Sequence, residues 1–132
     1  MSIRNTVNKY LNNHAETNEF HWDPSLKTNY FKTTKDQGMV VLEDMFHQAR
    51  EYEIHSVSKE HGEMSVHHIT GKKAFIVVSV IMVRPYRTAI DFSVTTESVI
   101  PFDFGYSTRL IQELYNMIRK KLPIIIEDSS RQ

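Results

Sequence analysis

Residues 75–83 read Phe-Ile-Val-Val-Ser-Val-Ile-Met-Val, apolar at almost every position. A β-branched run of that kind predicts a central strand covered on both faces. After the turn Arg84-Pro85-Tyr86-Arg87 the pattern changes to alternation. Ile90, Phe92 and Val94 fall on one side, and Asp91, Ser93 and Thr95 on the other. This predicts a partner strand over 88–98 with one buried face.

Helical spacing appears on either side of that pair. Leu110, Ile111, Leu114, Tyr115, Ile118 and Leu122 form a stripe at i, i+3/i+4, which predicts a helix from about Ser107 to Leu122, ended by Pro123. Met39, Leu42, Phe46 and Ala49 form a second stripe, widened by Val41, Met45 and Tyr52. Thr34 and Gln37 have capping-box spacing, so this helix is expected over about 36–51, with its broad face buried.

The remaining segments are shorter. Residues 53–59 and 63–70 are imperfectly alternating runs around Glu60-His61-Gly62, a hairpin with glycine available for positive φ. They are expected as outer strands. Residues 26–33, with Tyr30 and Phe31, predict a further strand. Residues 2–16 carry a thin stripe of Ile3, Val7, Tyr10, Leu11 and His14, which predicts a peripheral N-terminal helix. The isoleucines at 124–126 suggest a short extended segment before a frayed tail over 127–132.

This order predicts an α+β two-layer sandwich. It is a mostly antiparallel β-meander with two main helices packed on one face and a peripheral N-terminal helix. No repeat or flexible linker divides the chain, so 1–132 is expected to form one domain.

Composition narrows the function classes. Lys+Arg and Asp+Glu both number 16, so no global field steers the chain toward nucleic acid or an anionic membrane. Arg119, Lys120 and Lys121 are explained by their place at a helix C-terminus. With no cysteine there is no disulfide, thiol chemistry or cysteine-ligated metal. No hydrophobic signal region opens the chain and no apolar stretch is long enough to span a bilayer, so a soluble cytoplasmic protein is expected.

Two places carry candidate chemistry. The first is the aromatic loop Val99-Ile-Pro-Phe-Asp-Phe-Gly-Tyr106. Phe102, Phe104 and Tyr106 surround Asp103, and Gly105 permits a sharp entry into the last helix. Such rings can wall a groove for a small apolar ligand or a protein partner, with Asp103 and Tyr106 as polar handles. The bland alternative is a loop that lids the core.

The second is the hairpin histidines. His55 is expected opposite His67 or His68, according to the turn length, which would let two imidazoles share a metal ion. Glu53 supplies a third ligand only if the strand pairing slips. The bland alternative is a set of surface histidines. No P-loop, dinucleotide fingerprint or nucleophile elbow is present, and Asp103-Phe-Gly105 lacks every other kinase signature. Asp91 and the arginines Arg84 and Arg87 read as exposed groups. The patterns favour a binding module without cofactor, and a homodimer is one arrangement that would cover the sheet. A metal-dependent or acid/base enzyme built on His55, His67 and His68 is the alternative.

Asp103-Phe104-Gly105-Tyr106-Ser107 also carries a resemblance. From about residue 24 to 122 the element order is similar to an uncharacterised bacterial family, domain of unknown function 1499. Members end in a strand, a Ser-rich segment and Asp-Leu-Gly-Val-Asn leading into a helix. The chain departs from that pattern in Val94-Thr-Thr-Glu-Ser-Val-Ile100, in Ser107 for asparagine, and in lacking the family's cysteine segment. The resemblance implies a bacterial α+β domain and no particular activity, because the family has none assigned.

Overall fold

A computed structural model describes residues 14–96 and 105–126. The chain is α+β, and its described residues form a seven-stranded antiparallel sheet and two helices. In chain order the elements are β1 (His14–Glu16), a 3-10 turn (Pro24–Leu26), β2 (Asn29–Phe31), α1 (Lys35–Gln48), β3 (Tyr52–Ser58) and β4 (Glu63–His68). Then come β5 (Ala74–Arg84), β6 (Arg87–Thr96), α2 (Tyr106–Arg119) and β7 (Ile124–Ile125). The sheet order is β3-β4-β5-β6-β2-β7, with β1 also pairing on β6.

The expected hairpins are present. β5 and β6 pair from Ala74↔Thr96 to Arg84↔Arg87, and β3 pairs with β4 around the 59–62 turn. The sheet nevertheless exceeds a simple meander, because β1 and β2 both line up along β6 and β7 adds to β2. Residues 14–16 therefore form a strand, not the end of a helix. Ala15 sits opposite Val94 and is buried, while Glu16 points outward, a period-two pattern that satisfies β6 backbone beyond the end of β2. Residues 1–13, which carry the rest of the expected N-terminal helix, lie outside the described residues.

Both helices start for local reasons. The Thr34 hydroxyl accepts from the Gln37 backbone N–H at 3.2 Å, which caps α1. Gly105, at φ +78°, turns the chain into α2. The α2 stripe is buried as expected, at Leu110, Ile111, Leu114, Tyr115, Ile118 and Leu122. So is that of α1, at Met39, Leu42, Met45 and Phe46. Each fully buried side chain of this size contributes about 1.5–3 kcal/mol.

Both helices share one core cluster with Met64 and Val66 of β4, Ile76, Val78 and Val80 of β5, and Ile90, Phe92 and Val94 of β6. The opposite face of β5 is only partly covered. Phe75, Val77 and Ser79 are half-buried, and Ile81 and Val83 are each 53% exposed. The expected two-sided burial of this strand does not hold among the described residues, because the core takes only alternate side chains. Tyr115 centres that core. Its ring lies 5.0 Å edge-on from Phe92, and its hydroxyl donates to the Ile90 carbonyl at 2.6 Å.

Asp91 does more than face solvent. One of its oxygens accepts from both the Thr17 and Thr28 hydroxyls at 2.6 Å, so the carboxylate ties the 17–28 connector to β6.

Candidate functional site

At the β3–β4 end of the sheet, strand pairing sets Tyr52 directly across from His68. The preceding residue of β4, His67, points to the other face because side chains alternate along a strand. The two adjacent histidines therefore pack against different neighbours, though both border one groove at this end of the sheet.

His68 stands against the first turn of α2. Its ring is 5.1 Å from that of Tyr52 and 6.3 Å from that of Tyr106, edge-on to both. Its Nδ1 lies 3.0 Å from the Lys72 carbonyl oxygen, a contact in which Nδ1–H donates. The Tyr106 hydroxyl donates to the same carbonyl at 3.1 Å and lies 3.3 Å from His68 Nδ1. The Lys72 ammonium sits 5.3 Å from the Tyr106 ring centroid, where the negative face of the ring attracts a cation.

Tyr52 completes the cluster and is its anomaly. The ring is buried, packed edge-on against Phe46 at 5.2 Å as well as against His68. Its hydroxyl is enclosed and meets no hydrogen-bond partner among the described residues. Leaving a buried hydroxyl unpaired costs about 1–3 kcal/mol, so the position calls for a reason. Burial holds the Tyr52 phenol well above the ordinary tyrosine range, with the carboxylates of Glu113 and Glu51 adding to the effect. Burial and Glu113 also raise Tyr106. Both phenols are neutral donors near neutral pH.

Beside this cluster runs an open groove of about 350 Å³, lined by Glu53, His67, His68, Ile69 and Lys73. One ammonium, one carboxylate and two imidazoles border it, so the groove offers both hydrogen-bond donors and acceptors to a polar ligand.

The structure thus joins two residues that the sequence placed in separate candidates, Tyr106 of the aromatic loop and His68 of the hairpin. Phe102, Asp103 and Phe104 lie outside the described residues. Tyr52 was legible only as a helix-face extension, and cross-strand register with His68 is what gives it a place here.

The other histidines go elsewhere. A shift of register between Ile54 and Ser56 makes β3 slip, so Glu53 pairs with His67 and His55 occupies the irregularity. The His55 and His67 rings meet edge-on at 5.3 Å, and His67 also packs 5.3 Å from Phe75. Among the described residues, no three His, Asp or Glu side chains converge to hold a metal ion. His55 and His67 form a ring pair, and His68 stands apart from them on the core side.

No protein family, curated protein or solved structure matches this chain. Among the described residues, no helix is long and apolar enough to cross a membrane.

Proposed function

We propose that the protein is a binding module whose ligand-facing surface is the start of α2, with Tyr106 as its aromatic wall and His68 and Tyr52 behind it. The observation that carries this reading is the Tyr52 hydroxyl, enclosed without a partner among the described residues beside His68 Nδ1 and the Tyr106 hydroxyl, both of which go to the Lys72 carbonyl. A ligand with an aromatic or apolar body and an acceptor group would stack on Tyr106 and present its acceptor to the Lys73 ammonium of the adjoining groove. The aromatic residues 102 and 104, four and two positions before Tyr106, extend the same apolar chemistry in the sequence. This reading takes the fold as a two-layer sandwich with both helices on one face of the sheet. It sets the protein in the cytoplasm, where the lack of cysteine is unremarkable.

Titration of isotope-labelled protein with phenol, benzoate and indole-3-acetate tests it. Amide shifts confined to residues 68–73 and 105–107 are expected, and Tyr106→Ala should remove them. Uniform or absent shifts at millimolar fragment would end the proposal. The metal-dependent alternative keeps one favourable observation, the His55–His67 contact. Elemental analysis after gentle purification decides it, since sub-stoichiometric metal is incompatible with it.

A further inference from the structure

The C-terminal ends of the two helices leave a groove between them, open to solvent and about 200 Å³ in volume. Met45, Gln48 and Ala49 line it from the end of α1, and Met117, Lys120 and Lys121 from the end of α2. Helical spacing sets these side chains together. Ala49 follows Met45 at i+4, and Lys120 and Lys121 follow Met117 at i+3 and i+4. Met45 belongs to the core cluster at 4% exposure, while Met117 and Ala49 are half-buried against it. The groove shares no lining residue with the one beside His68.

Its chemistry is narrow. No aromatic ring lines it, so a planar ligand has nothing to stack on. The two thioethers are flexible and polarizable, which suits them to an equally flexible chain. Apart from the lysines, the polar side chain is Gln48, and its Nε2 donates to Asp44 Oδ2 at 3.1 Å. Lys120 and Lys121 are exposed, and neither ammonium has a hydrogen-bond or ion-pair partner among the described residues. Their position at the end of α2 complements its macrodipole but leaves their donors open. The carboxylates nearby are accounted for. Asp44 holds Gln48, and Glu113, one turn before Met117, acts on the phenols of Tyr52 and Tyr106. From residue 114 to 126 there is no acid.

We propose that this groove binds a free straight-chain monocarboxylate, with the alkyl chain along Met45, Ala49 and Met117 and the carboxylate at Lys120 and Lys121. Charge complementarity selects an anionic head, because two unpaired ammoniums stand at one end of an otherwise apolar surface. The apolar part selects an alkyl tail rather than a peptide. Both walls are helix ends, so there is no strand edge for a peptide backbone to pair with. A bilayer fits less well, since two lysines fall short of the four to eight of a lipid-binding cluster. A second copy would bring four lysines together with no acid between them.

The probe is octanoate, titrated into the full chain carrying isotope-labelled amides and methionine methyls. Shifts are expected at residues 45–49 and 117–121 and at the methyls of Met45 and Met117. Each added methylene from hexanoate to octanoate should tighten binding by about two- to fourfold. Octanol and octylammonium, with the same tail, should bind about tenfold more weakly or not at all. The variant Lys120→Gln/Lys121→Gln should weaken octanoate about tenfold and leave octanol unchanged. Both lysines are exposed, so the fold tolerates their loss. Met117→Gln should weaken octanoate as well, and Tyr106→Ala should leave it unchanged. Octanol or octylammonium binding as tightly as octanoate, equal affinity for hexanoate and octanoate, or no shift at millimolar octanoate would each overturn the proposal. So would retention by phosphatidylglycerol vesicles, or a dimer through these residues, that octanoate does not displace.

Discussion

Gly62 lies so close to Val80 that a Cβ built on it would stand 2.3 Å from the Val80 carbonyl oxygen. The contact is between backbones, so no side-chain rotation relieves it. Gly62 also has φ +68°, a conformation that costs a residue with a Cβ about 1–2 kcal/mol. Gly71, at φ +64°, has nothing within 4 Å of the same built atom. Gly62→Ala is therefore expected to lose about 3 kcal/mol or more, against about 1 kcal/mol for Gly71→Ala. Urea unfolding of the two variants measures the difference, and equal losses would show that the close approach is unimportant.

Two buried tyrosines should respond to loss of the hydroxyl with opposite signs. Tyr115 donates to the Ile90 carbonyl at 2.6 Å and accepts from the Asn29 N–H at 3.4 Å. Removing that oxygen leaves a buried carbonyl unpaired, so Tyr115→Phe should destabilise by about 1–2 kcal/mol. The Tyr52 hydroxyl has no partner to lose. Tyr52→Phe should stabilise the free protein by about 1 kcal/mol while removing a donor from the ligand site. A higher melting temperature together with weaker fragment binding is the expected pair of results. A melting temperature that falls would mean that the hydroxyl is already satisfied, and the site would lose its main support.

Periodicity made much of the fold legible. The stripes of Leu110 to Leu122 and Met39 to Phe46, the Thr34 cap and the alternation at Ile90, Phe92 and Val94 are local, and each is present. Two misreadings came from long-range pairing. His14 falls on a helical stripe, yet the open edge of β6 at Val94 recruits Ala15 as a strand neighbour. The apolar run of β5 reads as doubly covered, but its surplus at Ile81 and Val83 is an exposed edge. Of the candidate site, Tyr106 and His68 were visible as residue types. Their meeting was not, because it depends on where residue 68 ends its strand and where residue 106 begins its helix. Tyr52 carried no local signal, since an unpaired hydroxyl is a property of its surroundings.

Tyr86 shows that the β5–β6 turn is held at some cost. It is the one non-glycine residue with positive φ among those described, at 58°. It follows Pro85, which presets the first corner of the turn. The ring is 62% exposed, so little packing compensates for the backbone. Tyr86→Asn, which tolerates this conformation better, should raise stability by about 0.5–1 kcal/mol. If the variant is instead destabilised, the exposed ring makes contacts that its solvent exposure conceals.

The buried phenols also give stability a defined alkaline limit. Burial raises Tyr52 and Tyr115 above the ordinary tyrosine range, with the charge of Glu113 adding at Tyr52. In the unfolded chain these phenols ionise near pH ~10. Below that pH both states hold the protons, and the contribution to stability is fully present. Above it the unfolded chain releases protons that the folded chain retains, so stability falls as pH rises toward the raised native values. Urea unfolding from pH 8 to 11 should show this decline steepening above the tyrosine range. Comparison with the Tyr52→Phe/Tyr115→Phe double variant isolates it, because lysines and the other tyrosines titrate in both proteins. The double variant should lose stability less steeply, whatever its stability at pH 8. The two buried phenolates should also appear in the ultraviolet spectrum only as the chain unfolds. Parallel curves for the two proteins, or full phenolate absorbance from a folded chain, would show that Tyr52 and Tyr115 ionise freely in the native state.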